Sequence, residues 1–179
     1  PALWSVTERP GWLRLRTGRT VSGVLTARNT LTQRTEGPAC SGTVKLDSSG
    51  MRPGDRAGLV ALQSQFGTVG IRIGEDGERC VVMSANNGNG LEETVEAESY
   101  EGSLIYLRIE FDFENSLDTA RFFYSADGET WKTIGRPLKM KYTLDHFMGY
   151  RIGLYNYATR EIGGCADFDY FRYAKKSAT

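Results

Sequence analysis

Apolar and polar residues alternate in many short stretches of this sequence, and that period of two restricts the fold more than any other feature. The clearest stretch covers residues 105–113, where every second residue is Ile, Leu or Phe. Successive side chains of a strand point to opposite faces, so this stretch predicts a strand with one buried and one solvated face. Similar patterns predict strands over residues 12–16, 27–35, 43–46, 57–65, 69–73, 80–84, 120–125, 151–157 and 166–173.

Turn-forming residues separate these stretches at regular intervals. The chain contains 21 glycines, and Ala126-Asp127-Gly128 lies between an aromatic stretch and Trp131. Asp-Gly tolerates the positive φ angles of a type I′ turn, so a tight hairpin is predicted there, and residues 75–78 have the same character. No linker or repeat divides the chain. We therefore predict a single all-β domain over residues 1–179, a two-sheet antiparallel β-sandwich of the jelly-roll type.

The charged residues balance, with 22 Lys and Arg against 22 Asp and Glu. Binding of nucleic acid or of an anionic membrane requires clustered cations that neutralise phosphates. In addition, no stretch approaches the ~20 apolar residues of a transmembrane helix. We therefore predict neither nucleic acid nor a membrane as a partner, and a neutral ligand fits the charge better.

Residue types that carry catalysis are scarce. The chain has one histidine, His146, and no Gly-x-Ser-x-Gly motif. Asp145 precedes this histidine, but neighbouring side chains point apart on an extended chain and do not form a dyad. Acidic residues are numerous, so a pair of catalytic carboxylates stays open, although most are expected on solvated faces and in turns. We predict that the chain alone is not an enzyme.

Metal and cofactor motifs are also missing from the sequence. One histidine and three widely spaced cysteines do not fit a zinc site. The cysteines, Cys40, Cys80 and Cys165, are expected as free thiols, with one disulfide plus an odd thiol as the alternative. We predict no cofactor. A structural calcium ion stays open, because acidic residues offer oxygen ligands although no Asp-x-Asp-x-Asp-Gly loop is present. The residues in question are Asp76, Glu78, Asp112, Glu114 and Asp169.

The aromatic residues divide into two groups. Those at alternating strand positions are predicted to lie in the core, and these are Phe111, Phe113, Phe122 and Tyr124, while Trp131 is predicted to pack over the hairpin. The second group is Phe147, Tyr150, Tyr155 and Tyr157, with Arg151 and Asn156 among them. Sugar rings stack on aromatic rings, and their hydroxyls bond to amide and guanidinium groups. This mixture suits a saccharide site, with core packing of half the rings as the alternative.

Residues 27–35 form a polar stretch with a single leucine. Such a strand buries neither face well, so it is either an edge strand or the lining of a wet groove. We favour a groove that Arg34 also borders. The predicted carbohydrate-binding residues are therefore Arg28, Asn29, Gln33, Gln63, Phe147, Tyr150, Arg151, Tyr155 and Asn156.

Several segments together resemble one known family. They are ARNTLTQRTEGP (27–38), DRAGLVALQ (55–63), FYSADGETW (123–131), HFMGYRIGLYNYA (146–158) and ADFDYF (166–171). The sequence is similar to the C-terminal concanavalin-A-like domain of family-43 glycoside hydrolases, mainly β-xylosidases and arabinofuranosidases. The likeness extends from Trp4 to Tyr173.

The resemblance implies a jelly roll behind a five-bladed propeller that carries the catalytic carboxylates, and the sequence given has no propeller. In the family, a loop of the sandwich reaches the propeller's active site and contributes an aromatic side chain. Residues 146–151 match that loop, which makes Phe147, Tyr150 and Arg151 candidates for this role. Similar domains are also classed as xylan-binding modules.

The expected function is that of a non-catalytic carbohydrate-binding module for xylan or xylo-oligosaccharides, accessory to a β-xylosidase or arabinofuranosidase catalytic domain. The alternative is a structural subdomain that completes the active site without binding sugar itself, and an independent enzyme is a third option. The expected partners are xylan and, in a longer protein from which this module is excised, the family-43 propeller. An extracellular location suits a polysaccharide binder, and a cytoplasmic one stays open.

Overall fold

The computed structural model describes residues 3–86, 90–141 and 149–176, and almost all of its regular structure is strand. The strands are β1 (Trp4–Ser5), β2 (Leu13–Arg16), β3 (Leu31–Arg34), β4 (Ala39–Asp47), β5 (Asp55–Leu62), β6 (Gly67–Ile73), β7 (Arg79–Asn86), β8 (Glu92–Ser99), β9 (Leu104–Asp112), β10 (Thr119–Ser125), β11 (Lys132–Thr133), β12 (Leu138–Lys139), β13 (Arg151–Ala158) and β14 (Cys165–Lys176). In these ranges the helical segments are two short 3-10 turns, Val24–Thr26 and Glu114–Ser116. No helix in the described part of the chain is long and apolar enough to cross a bilayer.

The strands form two sheets in which all neighbours pair antiparallel. The larger sheet has the order β1-β2-β14-β4-β9-β10-β11, with β12 also paired to β10, and the smaller sheet has the order β3-β13-β5-β6-β7-β8. This confirms the predicted two-sheet antiparallel sandwich.

The main core lies between the inward faces of the two sheets. On β9, Ile105, Leu107 and Ile109 are fully buried, as the alternation predicts, whereas Leu104 at the start of the strand stays 42% exposed. The aromatic residues predicted for the core are found there, and these are Phe111, Phe122 and Tyr124, with Phe113 half-buried against them. The inward side chains therefore interlock in one apolar layer, which is where most of the stabilisation from burial arises.

A second, smaller apolar cluster lies on the outer face of the smaller sheet. Val60, Tyr155 and Tyr157 project from β5 and β13 on that face, and Phe66 joins them. Residues 17–30, which we call the strap, cross this face and insert Val24 into the cluster. The strap is attached by backbone bonds, from the Thr17 amide to Gly164 at 3.0 Å and from the Val21 amide to Ala158 at 2.9 Å. The middle of the outer face is thus covered and its two ends are open.

The hairpin after β10 forms as predicted, but its turn differs from the predicted type I′. β10 ends at Ser125 and β11 begins at Lys132, so the loop is longer than two residues, and Gly128 has a positive φ while Asp127 does not. The Asp127 carboxylate instead accepts the amides of Glu129 and Thr130 at 2.8 and 2.7 Å. These bonds hold the pKa of Asp127 well below its usual range. The aspartate therefore closes the loop through its side chain.

Trp131 follows this loop and is half-buried on the outer face of the larger sheet. The Arg108 guanidinium lies 4.0 Å from its ring centroid and donates to the Thr43 hydroxyl at 3.0 Å. A guanidinium over an indole is a favourable cation–π contact.

Both edges of the smaller sheet are polar strands. β3 is one edge, and all four of its residues are exposed, so the predicted strand over 27–35 shortens to an edge strand. β8 is the other edge, and its sequence EETVEAES carries almost no apolar alternation, which is why the sequence analysis missed it. Charged and polar edges limit the pairing of a sheet with another chain.

The main core generates a direct test with two leucines on one strand. Leu107→Ala should lower the free energy of unfolding by about 2–5 kcal/mol, because it removes a fully buried side chain and leaves a cavity. Leu104→Ala, the matched control on β9, should cost less than about 1 kcal/mol. Urea unfolding of both variants measures the difference, and equal losses would show that the burial on β9 is assigned incorrectly.

Candidate functional site

The predicted site residues meet where β13 runs beside the edge strand β3. Arg151 lies opposite Arg34 on β3 and Leu62 on β5, so the three residues share the outer face of the smaller sheet. Arg151 is half-exposed, and its Nη1 donates to the Thr32 hydroxyl at 3.3 Å. We call Thr32, Arg34 and Arg151 the edge patch. Hydroxyl and guanidinium groups there can hydrogen-bond to the hydroxyls of a sugar.

Gln33 lies on the other side of the same edge strand. Its register partner is Ile152, which is fully buried in the main core, so the Gln33 side chain leaves β3 away from the edge patch. There it borders an open cleft of about 190 Å³ at the side of the sandwich, which Leu31, Leu154 and Phe171 also line. The structure therefore places the predicted glutamine and arginine on opposite faces of one exposed strand and does not bring them together.

The strap residues Arg28 and Asn29 have different surroundings. Arg28 is exposed beside a narrow crevice near Asn156 and Tyr157, toward the far end of β13 from Arg151. Asn29 is buried, and its amide nitrogen donates to the Arg16 carbonyl at 2.7 Å. Asn29 thus attaches the strap to β2, which corrects its prediction as a groove residue.

Three further predicted residues are also inside the protein. Tyr150 is 4% exposed in the main core, Tyr155 is 2% exposed under the strap, and Asn156 is fully buried. The Asn156 amide nitrogen donates to the Leu15 carbonyl of the larger sheet at 2.8 Å. These positions correct the prediction that the three side chains line a groove, because packing and inter-sheet bonding occupy them. Tyr150→Ala is expected to destabilise the fold, because it removes a buried ring.

Two predicted residues complete the set. Gln63, which follows the end of β5, is 8% exposed and is engaged in contacts within the protein. Phe147 lies in residues 142–148, outside the described residues, and so does His146. The role predicted for Phe147 therefore stays a prediction.

A carboxylate that the sequence analysis did not single out holds the strap in place. The Glu92 side chain is 5% exposed and accepts three groups: Arg56 Nη1 at 3.3 Å, the Tyr157 hydroxyl at 2.9 Å and the Val24 amide at 3.3 Å. Burial, together with the nearby Glu92 charge, raises the pKa of Tyr157, so the phenol stays protonated and donates. Glu92 lies on the unpredicted strand β8, and nothing in the local sequence indicates its three partners.

Metal ligation has no support in the described ranges. No three or more His, Cys, Asp or Glu side chains among residues 3–86, 90–141 and 149–176 are grouped so that they could hold an ion. The three cysteines are free thiols, with Cys40 buried and Cys80 and Cys165 half-buried. The described site residues offer hydrogen-bonding groups and apolar or aromatic surface.

Comparison with known proteins gives consistent matches. A family model described as the β-xylosidase C-terminal concanavalin-A-like domain matches residues 1–174. A β-xylosidase of Formosa agariphila is 31% identical over 191 residues, and the alignment covers 95% of this chain and 31% of that protein.

Two solved structures are similar over nearly the whole chain. A bifunctional GH43-CE protein of Bacteroides eggerthii has a TM-score of 0.93 and 47% identity, with 98% of this chain and 22% of that chain covered. A GH43 glycoside hydrolase, engineered to display both endo-xylanase and exo-arabinofuranosidase activity, has a TM-score of 0.87 and 29% identity, with 96% and 36% covered. The chain thus spans about a third or less of most of these relatives.

The Glu92 cluster generates the second prediction. Glu92→Gln should lower the free energy of unfolding by about 1–3 kcal/mol, because it removes a buried charge that compensates Arg56 and accepts two further donors. Amide hydrogen exchange at Val24 should accelerate in the variant, because the glutamine amide has one acceptor oxygen and no charge and cannot accept from all three donors of Glu92 as the carboxylate does. Glu101→Gln, which changes an exposed carboxylate, is the control. Unchanged exchange at Val24 would mean that Glu92 does not hold the strap.

Proposed function

Since this chain belongs to the family of β-xylosidase C-terminal concanavalin-A-like domains, we propose that it binds xylan or xylo-oligosaccharides at the exposed edge of its smaller sheet. It does so as an accessory to a family-43 catalytic domain. The observation that carries the proposal is the strand β3, which is exposed at all four residues and has hydrogen-bonding groups on both faces.

The chemistry of this edge suits a neutral sugar chain. On the outer face the edge patch offers two guanidinium groups and a hydroxyl, and on the other face Gln33 offers an amide beside the Phe171 ring. Guanidinium and amide groups form directed bonds to sugar hydroxyls, and a ring accepts the apolar face of a pyranose. An extended ligand that lies along β3 would meet both kinds of group.

The relatives support the ligand class. One is named a β-xylosidase, and another is described as displaying endo-xylanase and exo-arabinofuranosidase activity. A domain that accompanies such activities would gain from affinity for the same polysaccharide. The matching family model describes the C-terminal, non-catalytic domain. We therefore expect no release of aryl-xyloside or aryl-arabinofuranoside products by this chain alone.

A second function is favoured by one observation. The solved relatives carry a domain of this kind within chains of which it covers 22% and 36%. Such a domain could complete the active site of the catalytic domain without binding sugar by itself. The two functions differ in one measurement, because only the first gives xylan binding by this chain alone in an affinity gel.

The binding proposal predicts the effect of a single substitution in the edge patch. Arg151→Ala should weaken the binding of xylo-oligosaccharides roughly tenfold, the equivalent of about 1.4 kcal/mol, by removing directed bonds to sugar hydroxyls. Arg121→Ala, which removes an exposed arginine from the larger sheet, is the matched control and should bind like the parent. Calorimetric titration gives the affinities, and thermal melts establish that both variants fold. A folded Arg151→Ala protein with the parent's affinity would place the site elsewhere.

The neutral ligand also predicts weak salt dependence. An undecorated xylo-oligosaccharide carries no charge, and the chain has a net charge of zero. Its dissociation constant should change less than about twofold between low and moderate salt, because no ion pair is screened. The same titration at two salt concentrations measures it, and a steep loss of affinity with salt would contradict a neutral ligand.

A further inference from the structure

A second open region lies at the other end of the outer face of the smaller sheet. It is a cleft of about 350 Å³, lined mainly by Gly54, Arg56, Arg72, Glu75, Thr159 and Arg160. Leu62, the end of β5 beside the edge patch, lies six positions along the strand from Arg56, a span of about 20 Å at the rise of a β-strand. The strap crosses the face between them. We call this region the arginine cleft.

The arginine cleft contains two arginines in direct register. Arg56 on β5 lies opposite Arg72 on β6, and both are half-buried. Like charges directly opposite on neighbouring strands destabilise a sheet unless a counter-charge lies between them. Their presence in register therefore requires an electrostatic explanation.

Among the described residues, a carboxylate forms a salt bridge with one of these two arginines. Arg56 pairs with the buried Glu92 at 3.3 Å, and Glu92 is in turn fixed by Tyr157 and the strap. Within the described residues, no carboxylate lies within 4.0 Å of the Arg72 guanidinium to form a salt bridge. Arg72 lines the cleft, so its guanidinium is placed to meet a ligand there.

A third arginine forms the rim. Arg160 pairs with Glu75 at 3.3 Å, but both side chains are exposed, by 52% and 84%, so the pair is weak and can exchange with a ligand. The Arg160 side chain packs against Gly54, where a Cβ atom would lie 2.8 Å from Arg160 Cγ. The Thr159 hydroxyl donates to the Gly54 carbonyl at 2.8 Å and holds this turn.

The charged residues that line the cleft are three arginines and one carboxylate, Glu75. Arg160 pairs with Glu75, and Arg56 pairs with the buried Glu92. The nearby Asp55 does not compensate them, because it lies on the alternate side of β5 and accepts the Arg52 amide at 2.9 Å. Guanidinium groups bind carboxylates through paired, parallel hydrogen bonds, and this makes arginine the preferred partner of a planar anion.

We propose that the arginine cleft binds the carboxylate of a uronic acid substituent on the polysaccharide, with Arg72 as the main contact and Arg160 at the rim. This inference rests on the proposed function for the class of polymer. The site itself is independent of the edge patch. The chain would then bind the neutral backbone of the polysaccharide at one end of the outer face and its acidic branch at the other end.

Three probes test the proposal by calorimetry and by NMR of arginine Nε–H groups: glucuronate, a glucuronate-decorated xylo-oligosaccharide and the undecorated oligosaccharide of equal length. At low salt, the decorated oligosaccharide should bind roughly tenfold more tightly than the undecorated one. The difference should shrink as salt rises, because charge is screened. Glucuronate should shift the Arg72 Nε–H signal.

Substitutions separate this site from the edge patch. Arg72→Gln should abolish the advantage of the decorated ligand and leave binding of the undecorated one unchanged, and Arg72→Lys, which keeps the charge but loses the paired donors, should restore only part of it. Arg121→Gln, a cation lost from the other sheet, should change neither ligand. If glucuronate shifts the Arg72 Nε–H signal while the undecorated oligosaccharide fails to bind, the arginine cleft is supported as a carboxylate site and the edge patch is contradicted as a xylan site. Equal affinity for both oligosaccharides, with no shift at Arg72, would overturn the arginine cleft while leaving the edge patch intact.

Discussion

The register of β13 is the constraint on which the rest of this structure depends. This strand lies between the edge strand β3 and β5, and its alternate residues serve different layers. Ile152 enters the main core on one side, while Tyr155 enters the cluster under the strap on the other. A shift by one residue would exchange the two sets, so both apolar layers specify the same register. The exposure of Arg151 follows from the packing of its neighbours.

The smaller sheet is unusual in needing apolar cover on both faces at its centre. Gly58 and Gly70 are register partners, and a Cβ atom at Gly70 would lie 2.7 Å from the Tyr155 hydroxyl oxygen. The missing side chains let that ring lie close to the sheet, where Val24 then covers the cluster. Glu92 accepts the Val24 amide of the strap in this position. Packing covers the centre of the face, and the two open ends that the described residues form differ in charge pattern.

Sequence reasoning succeeded where a pattern reports directly on burial. The alternation on β9 predicted which residues face the core, and the same argument located most of the longer strands. It failed on β8, because an edge strand whose residues are mostly charged and exposed has no apolar period to detect. The sequence also did not predict the longer hairpin loop. The same Asp-Gly pair occurs in tight two-residue turns, and the sequence does not show that the Asp127 side chain accepts backbone amides.

The sequence predicted which residue types suit the candidate site, but it could not predict on which face of the sheet each side chain lies. Gln33 and Arg151 both suit a sugar, but only the pairing of β3 with β13 reveals that they leave the sheet on opposite sides. The amide of Asn156 would suit a ligand equally well, and its buried bond to Leu15 depends on a contact between distant parts of the chain. The opposition of Arg56 and Arg72 likewise requires the register of two strands.

The strap also bears on where this domain begins. Residues 17–30 contain little regular structure. A domain boundary chosen by composition would therefore fall after them, at the first residue of β3. A polypeptide cut there would leave Tyr155 and Tyr157 in water and Glu92 facing Arg56 without the amide of Val24. The segment that most resembles a tether is therefore an integral layer of the sandwich, and related proteins should conserve its length more strictly than that of a true interdomain linker.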